Sequence, residues 1–202
     1  MVGAMSQAAG ECPQASPWSP REAEILAVTL QLLQEHGYDQ LTVDAVAGEA
    51  HASKATVYRR WPSKAELVLA AFTEGVRLVG DPPNTGTLRG DLLHLGEAIC
   101  QEGGQHAGTI RAVMVEVSRH PKLNEVLQNQ FLKQRKAVLQ HVLRQAVDRG
   151  EISAEVVTDE LWDLLPGYLI FRSIIPDRPP NRRTVQALVD GFLIPGLTRT
   201  SG

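Results

Sequence analysis

The chain is short of most features that announce a common function. Its 202 residues include only two cysteines. Cys12 and Cys100 lie too far apart to suggest a disulfide framework, and that usage fits a reducing cytoplasm. No segment approaches the roughly 18 apolar residues of a membrane span. Residues 1–18 lack the basic start and sustained apolar run of a signal peptide and read as a disordered tail. Positive charge is not in excess: 20 Lys+Arg against 23 Asp+Glu give a net charge of −3. The molecule as a whole is therefore not an electrostatic binder of nucleic acid. The six histidines (36, 51, 94, 106, 120 and 141) include no pair at H-x-x-x-H spacing. Gly103-Gly104 is a bare pair and not a phosphate-cradling loop. No G-x-S-x-G elbow is present, and Ser118 with His120 lies at a helix end before Pro121. These absences leave no positive case for an enzyme, a bound metal or a cofactor.

What is present is a local concentration of charge. Residues 53–66 read SKATVYRRWPSKAE, carrying Lys54, Arg59, Arg60 and Lys64 with no acidic residue between Glu49 and Glu66. The surrounding residues 1–80 hold more acids than bases, and residues 81–202 balance to zero. Thr56 and Tyr58 set hydroxyls beside these cations. Cations and neutral donors on one face of a short helix suit phosphate oxygens and base edges in a DNA groove. A solvated helix end would show the same charges, so the flanking pattern has to decide.

That pattern supplies several helix starts. Ser19-Pro20-Arg21-Glu22 reads as a capping box with Pro at the first helical position. An apolar stripe at Ala23, Leu26, Leu30 and Leu33 follows, with Gly37 as the expected stop. Thr42 is the expected cap of a helix over 43–50. Ser53 caps the basic helix, and Ser63 to Glu66 forms a second box opening a helix to about Val79. His51-Ala52 makes the turn, His being one of the residues that tolerate positive φ. Ala47 permits close approach of the helices, and Val57 faces back toward Val46 and Leu41. Pro62 should end the basic helix sharply. This is the layout of a helix-turn-helix, whose second helix enters a major groove.

After the turn-rich stretch 81–86, five helices are expected: 88–101, 108–119, 122–149, 155–175 and 183–197. Gly103-Gly104, His120-Pro121, Gly150 and the loop 176–180 separate them. The helix over 155–175 is apolar on nearly every side, from Leu161 and Trp162 to Phe171 and Ile175. Such a helix must be covered on more than one side. A two-fold homodimer through the last two helices, including Phe192, meets that need. Pro166-Gly167 should kink the helix and open space beside it.

The ordered residues Gly37-Tyr38, Leu41-Thr42-Val43, Val46-Ala47, Ser53 to Trp61 and Ser63 to Leu67 resemble the TetR family of bacterial transcriptional regulators over residues 20–75. His51 departs from the Gly common in such turns, and Trp61-Pro62 from the commoner aromatic-plus-polar pair. The resemblance implies an all-α protein of about nine helices. A helix-turn-helix domain at 19–62 and a connecting helix at 63–80 would precede a C-terminal ligand-binding and dimerisation domain at 81–202. It implies a cytoplasmic repressor that binds a palindromic double-stranded operator as a homodimer and is released by a small-molecule effector. At matching positions Thr42, Thr56, Tyr58 and Lys64 should hold phosphates, with Ser53 a further DNA-binding position. Lys54 and Arg59 should reach base edges or adjacent backbone, while Arg60 is open between phosphate contact and packing beside Trp61. Candidate effector contacts are Arg111, Met114, Val115, Val117, Phe131, Trp162 and Tyr168, whose mixture suits an apolar or aromatic ligand. Each also fits plain core packing. A helical ligand carrier or an interaction module remains the alternative class.

Overall fold

The computed structural model describes residues 16–76, 82–158, 161–175 and 178–198. Most of the expected tail with Cys12, the approach to Val79, and parts of the two turn-rich loops lie outside these residues. The protein is all-α: no strand occurs among the described residues. The helices are α1 (Pro20–Gln40), α2 (Val43–Glu49), α3 (Lys54–Arg60), α4 (Lys64–Gly75), α5 (Leu88–Arg119), α6 (Pro121–Val126), α7 (Lys133–Asp148), α8 (Leu161–Ile174), α9 (Arg182–Leu188) and α10 (Ile194–Thr198). A π-helical segment, Leu127–Leu132, joins α6 to α7, and another, Val189–Leu193, joins α9 to α10.

The local chemistry of the first half behaves as its sequence dictates. Ser19 accepts from the Glu22 N–H while Glu22 reaches back to the Ser19 N–H, a complete capping box. Thr42 caps α2 by accepting from Ala45 N–H at 3.1 Å. At α4 the box is half made: Ser63 accepts from Glu66 N–H, but the Glu66 carboxylate bonds the Ser63 hydroxyl instead of its backbone. Gly37, at φ +76°, breaks α1 without ending it; one more turn runs to Gln40. Ile25, Leu26, Leu33, Leu41, Val46, Val57, Trp61 and Leu67 to Ala71 form the first core. Val113 and Val117 from α5, with Leu123 and Leu127, complete it. The first half is therefore not sealed off from the second half.

In the second half the sequence expectations need three corrections. Residues 88–119 run as α5, and the break expected at Gly103-Gly104 falls instead at His106, still between the expected spans 88–101 and 108–119. The reason is close packing: a Cβ on Gly103 would stand 2.3 Å from Ser173 Oγ on α8, and one on Gly96 would stand 2.4 Å from Val185 Cγ1 on α9. These glycines let backbones approach. The departure from helical geometry falls at His106 (φ −117°, ψ 16°). Second, α8 starts at Leu161, not near 155; Ala154–Val156 make a 3₁₀ turn capped by Ser153. The β-branched run Val156-Val157-Thr158 disfavours helix there. Third, the helix expected over 122–149 begins at Pro121 and carries a π-helical segment at Leu127–Leu132 before α7; α8 runs through Pro166 as one element.

The second core gathers Leu92, Leu139, Val142, Leu143, Leu165, Leu169, Val185, Val189 and Leu193. At its base lies a buried charge. Asp91 accepts from the Thr85 backbone N–H (2.6 Å), the Thr85 hydroxyl (2.8 Å) and Arg149 (3.1 Å). Glu151 accepts from Leu88 N–H at 2.8 Å. Satisfied in this way, the carboxylates tie the start of α5 to the end of α7.

Candidate nucleic-acid interface

Helix α3 is fixed from below by apolar burial and at its ends by hydrogen bonds. Val57 is fully buried against the first core, which contributes about 1.5–3 kcal/mol for a side chain of this kind. Ser53 caps the start, accepting from Thr56 N–H at 3.1 Å, and its hydroxyl lies 2.8 Å from that of Thr56. Trp61 leaves the helical region at φ −124°, ψ 94°, as its position before Pro62 requires. The turn before α3 passes through His51 at φ +47°, the left-handed conformation expected of it. Arg21 of α1 donates to the carbonyls of Ala50 (2.6 Å) and His51 (2.8 Å), so the turn is held from outside.

With Val57 inward, α3 turns Lys54, Tyr58, Arg59 and Arg60 toward solvent, and Thr56 is half-buried. These polar side chains are not loose. Lys54 donates to Asp44 of α2 at 2.8 Å and lies 5.9 Å from the Tyr58 ring centre. That hydrogen bond, reinforced by the charge of Asp44, pushes the Lys54 ammonium above its ordinary value. Exposed pairs of this kind are worth about 1 kcal/mol or less, so an incoming phosphate can displace Asp44 at little cost. Arg60 pairs with Glu22 at 2.6 Å and stacks 4.8 Å from the Trp18 ring centre. Lys64 sits 4.3 Å over the Tyr38 ring and 3.4 Å from the Asp39 carbonyl, at the end of α1. Of the cations of α3, Arg59 alone has no ion pair or side-chain hydrogen bond among the described residues. Thr42 is exposed at the head of α2. All eight residues expected to face DNA thus belong to α3 or to the helix starts flanking it. Sequence reasoning missed their internal partners, Asp44, Glu22 and Trp18; only Glu22 had a signal, and that was for its capping role.

The seven candidate effector contacts do not surround one space. Met114 and Val115 are exposed on the outer face of α5. Arg111 is exposed and donates to the Ile174 carbonyl at 3.3 Å. Val117 is buried in the first core and lines a shallow cleft with Tyr38, Ala65 and Glu116. Trp162 is buried beneath Lys136, whereas Tyr168 is exposed beside Arg172. Phe131 packs on Phe72 with ring centres 5.4 Å apart. Around that contact lie Val76, Ile110, Ile170 and Ile174, a small apolar cluster between α4 and the C-terminal helices. His106, at the break in α5, meets Phe72 edge-on and lies 3.3 Å from Gln34 of α1; burial lowers its pKa. Among the described residues no group of three or more His, Cys, Asp or Glu is placed to hold a metal, and no helix is long and apolar enough to cross a membrane.

Known proteins align with this arrangement along nearly its whole length. Residues 25–71 match the model of bacterial regulatory proteins of the tetR family, and residues 82–192 match the Tetracyclin repressor-like C-terminal domain. An uncharacterized HTH-type transcriptional regulator of Mycobacterium tuberculosis is 72% identical over 202 residues, covering 100% of both chains. The DNA-binding transcriptional repressor TetR of Mycobacteroides abscessus is 31% identical, over 86% of this chain and 92% of that one. Among solved structures, a TetR family transcription regulator superposes with a TM-score of 0.72 at 30% identity, over 88% of this chain and 98% of that chain. Domain by domain and over the full length, the chain belongs to the TetR family of HTH-type transcriptional regulators, and it is a regulator, not an enzyme.

Proposed function

We infer that the protein is a dimeric repressor that binds a palindromic operator and leaves it when a small apolar or aromatic effector binds. The observation that carries the DNA reading is the outward face of α3. It offers Lys54, Tyr58 and Arg59 on a helix anchored by Val57. In this reading Lys54 and Arg59 reach base edges or adjacent backbone, and Thr42, Ser53, Thr56, Tyr58 and Lys64 hold phosphates. The repressor sense is supported by the likeness to the mycobacterial repressor. Selecting a sequence from a random duplex library with the full-length protein, then measuring its binding, tests the reading. Selection of no sequence would refute it.

The dimer reading rests on α8. Leu164, Tyr168, Phe171 and Ile175 stand exposed at i, i+4, i+7 and i+11, one helical stripe, and Phe192 is 72% exposed beyond α9. A second copy of the chain covers these side chains in a closed two-fold pair. The two α3 helices then meet half-sites about 34–36 Å apart or at a multiple of that distance. For the effector, the cluster of Phe72, Ile110 and Phe131 beside His106 is the best placed, because it touches both halves of the molecule. A library screen by thermal stability, followed by operator release, tests this. Trp162→Phe serves as the fluorescence control. Release requires the effector to favour the non-binding state; equal affinity for both states shifts nothing.

A further inference from the structure

The first turn of α1 touches both ends of the recognition helix. At the leading end, Arg21 donates to the carbonyls of Ala50 and His51, in the turn where His51 holds positive φ. At the trailing end, Glu22 pairs with Arg60 at 2.6 Å. The Arg60 guanidinium lies over Trp18, whose ring sits 5.6 Å from that of Trp61. Trp61 is the residue where α3 stops, and it is buried in the first core. Glu22 is itself fixed, because its carboxylate also accepts the Ser19 N–H at 2.8 Å. The chain thus contacts both ends of α3 from three residues, Trp18, Arg21 and Glu22, within the short stretch 18–22.

We propose that residues 18–22 are a clamp that sets the orientation of α3, and that Arg60 is a positioning residue within it and not a contact to phosphate. This rests on the reading of α3 as the DNA-reading helix. The physical argument is one of competition. To reach DNA, Arg60 would have to leave a partly buried carboxylate that Ser19 also holds, and an aromatic face at 4.8 Å; Lys54 need leave only the exposed Asp44 and a ring at 5.9 Å, and Arg59 has no such partners to leave. Arg59 is then the cation that reads bases, with Lys54 released from Asp44 beside it. The four cations of the basic stretch fall into distinct roles that their sequence does not separate.

The test compares Glu22→Gln, Arg60→Gln and the double variant in the full chain. Glutamine at position 22 preserves the capping box, since either Glu or Gln can serve there. It removes only the charge that holds Arg60. The first readout is amide hydrogen exchange of Val57 to Trp61 without DNA. Each single variant should speed exchange about threefold, in keeping with an exposed pair, and the double variant no further. Trp18→Ala should do the same. The second readout is affinity for a duplex selected by the wild-type protein, across a range of salt. Each variant should weaken binding by about the same threefold with an unchanged salt slope. Unaltered exchange in both single variants would overturn the clamp. So would a salt slope reduced by about one unit in Arg60→Gln alone, because that is the signature of a lost phosphate contact. Failure of the wild-type chain to select any duplex would instead sink the DNA reading, and the exchange arm would still decide the clamp.

Discussion

Helices α3 and α8 both turn a face to solvent, and the two faces are built on opposite plans. On α3 the outward side chains are polar, and most of them rest on a neighbour within the chain: Lys54 on Asp44, Arg60 on Glu22, Thr56 on Ser53. On α8 one outward stripe is apolar: Leu164, Phe171 and, just past the helix, Ile175, with Tyr168 beside Arg172 and the exposed Asp163 off the stripe. The first face is complete in one chain; in the reading proposed above it gives up the exposed Lys54–Asp44 pair to DNA while Arg60 stays on Glu22. The second stays wet until another surface covers it. A surface that must bind and release is best built from pairs worth about 1 kcal/mol or less. A surface that must stay closed is best built from buried area, at roughly 25 cal/mol per Å².

The comparison breaks most visibly if charge is placed on the apolar face. Phe171→Asp or Phe192→Asp should weaken self-association by more than about a hundredfold, since an unpaired charge in a desolvated interface costs about 3–5 kcal/mol. Sedimentation at micromolar concentration reads this; a variant that keeps twice the chain mass would contradict the covering role of these residues. The converse change on the polar face should spare the dimer. Arg59→Ala should cost about 1–3 kcal/mol of operator discrimination while mass in solution stays the same. Lys64→Ala should weaken all duplexes alike and lower the salt slope by about one. Base preference altered at constant slope would move Lys64 from phosphate to base readout.

The inner face of α8 sharpens the contrast. Gly103 meets Ser173 there, while its neighbour Gly104 has no atom within 4 Å of a would-be Cβ. Gly103→Ala should destabilise by about 1–3 kcal/mol through forced displacement of α8. Gly104→Ala should stabilise by up to about 1 kcal/mol through helix propensity. Thermal melts of the pair decide whether close approach or mere flexibility explains the two glycines. Acid is the mildest probe. The Ser19 N–H, with help from Arg60, holds the Glu22 carboxyl below its ordinary value. Its contribution is complete above the unfolded carboxyl range and fades only as pH falls through the lowered value. The apolar stripe on α8 contains no carboxylate. Protection at α3, corrected for the intrinsic exchange rate, should therefore fall on acidification below the ordinary carboxylate range, while the mass in solution stays unchanged over the same range.

How much of this was legible in the sequence depends on range. Caps are made within three residues, so Ser19, Thr42 and Ser53 could be read directly. The positive φ of His51 and the stop before Pro62 are local for the same reason. The pairing of Glu22 with Arg60 joins residues far apart in sequence, with no periodicity to link them. Gly103-Gly104 carried a turn-like composition, yet their meaning depends on Ser173 packing from another helix. The scattered effector candidates fail similarly: apolar residues at helical spacing reveal that a face is buried, not which neighbour covers it. The start of α8 was missed because its apolar run begins at Leu161, whereas the β-branched residues before it were read as part of the helix.

The continuity of α5 also has a mechanical side. At about 1.5 Å per residue, the segment from the irregular His106 to Val117 is roughly 16 Å long. Its far end is buried among the side chains of α1 and α4, its near end at His106 meets Gln34 and Phe72 of the same helices, and Arg111 between them reaches the Ile174 carbonyl of α8. That makes it a lever with a short, defined arm. A tilt of only about 5° at the break carries Val117 by about 1.4 Å, given that length. Tightly packed interiors do not absorb such a shift locally, so a tilt of the arm would be passed to α1 and α4, which pack with α3 in the first core.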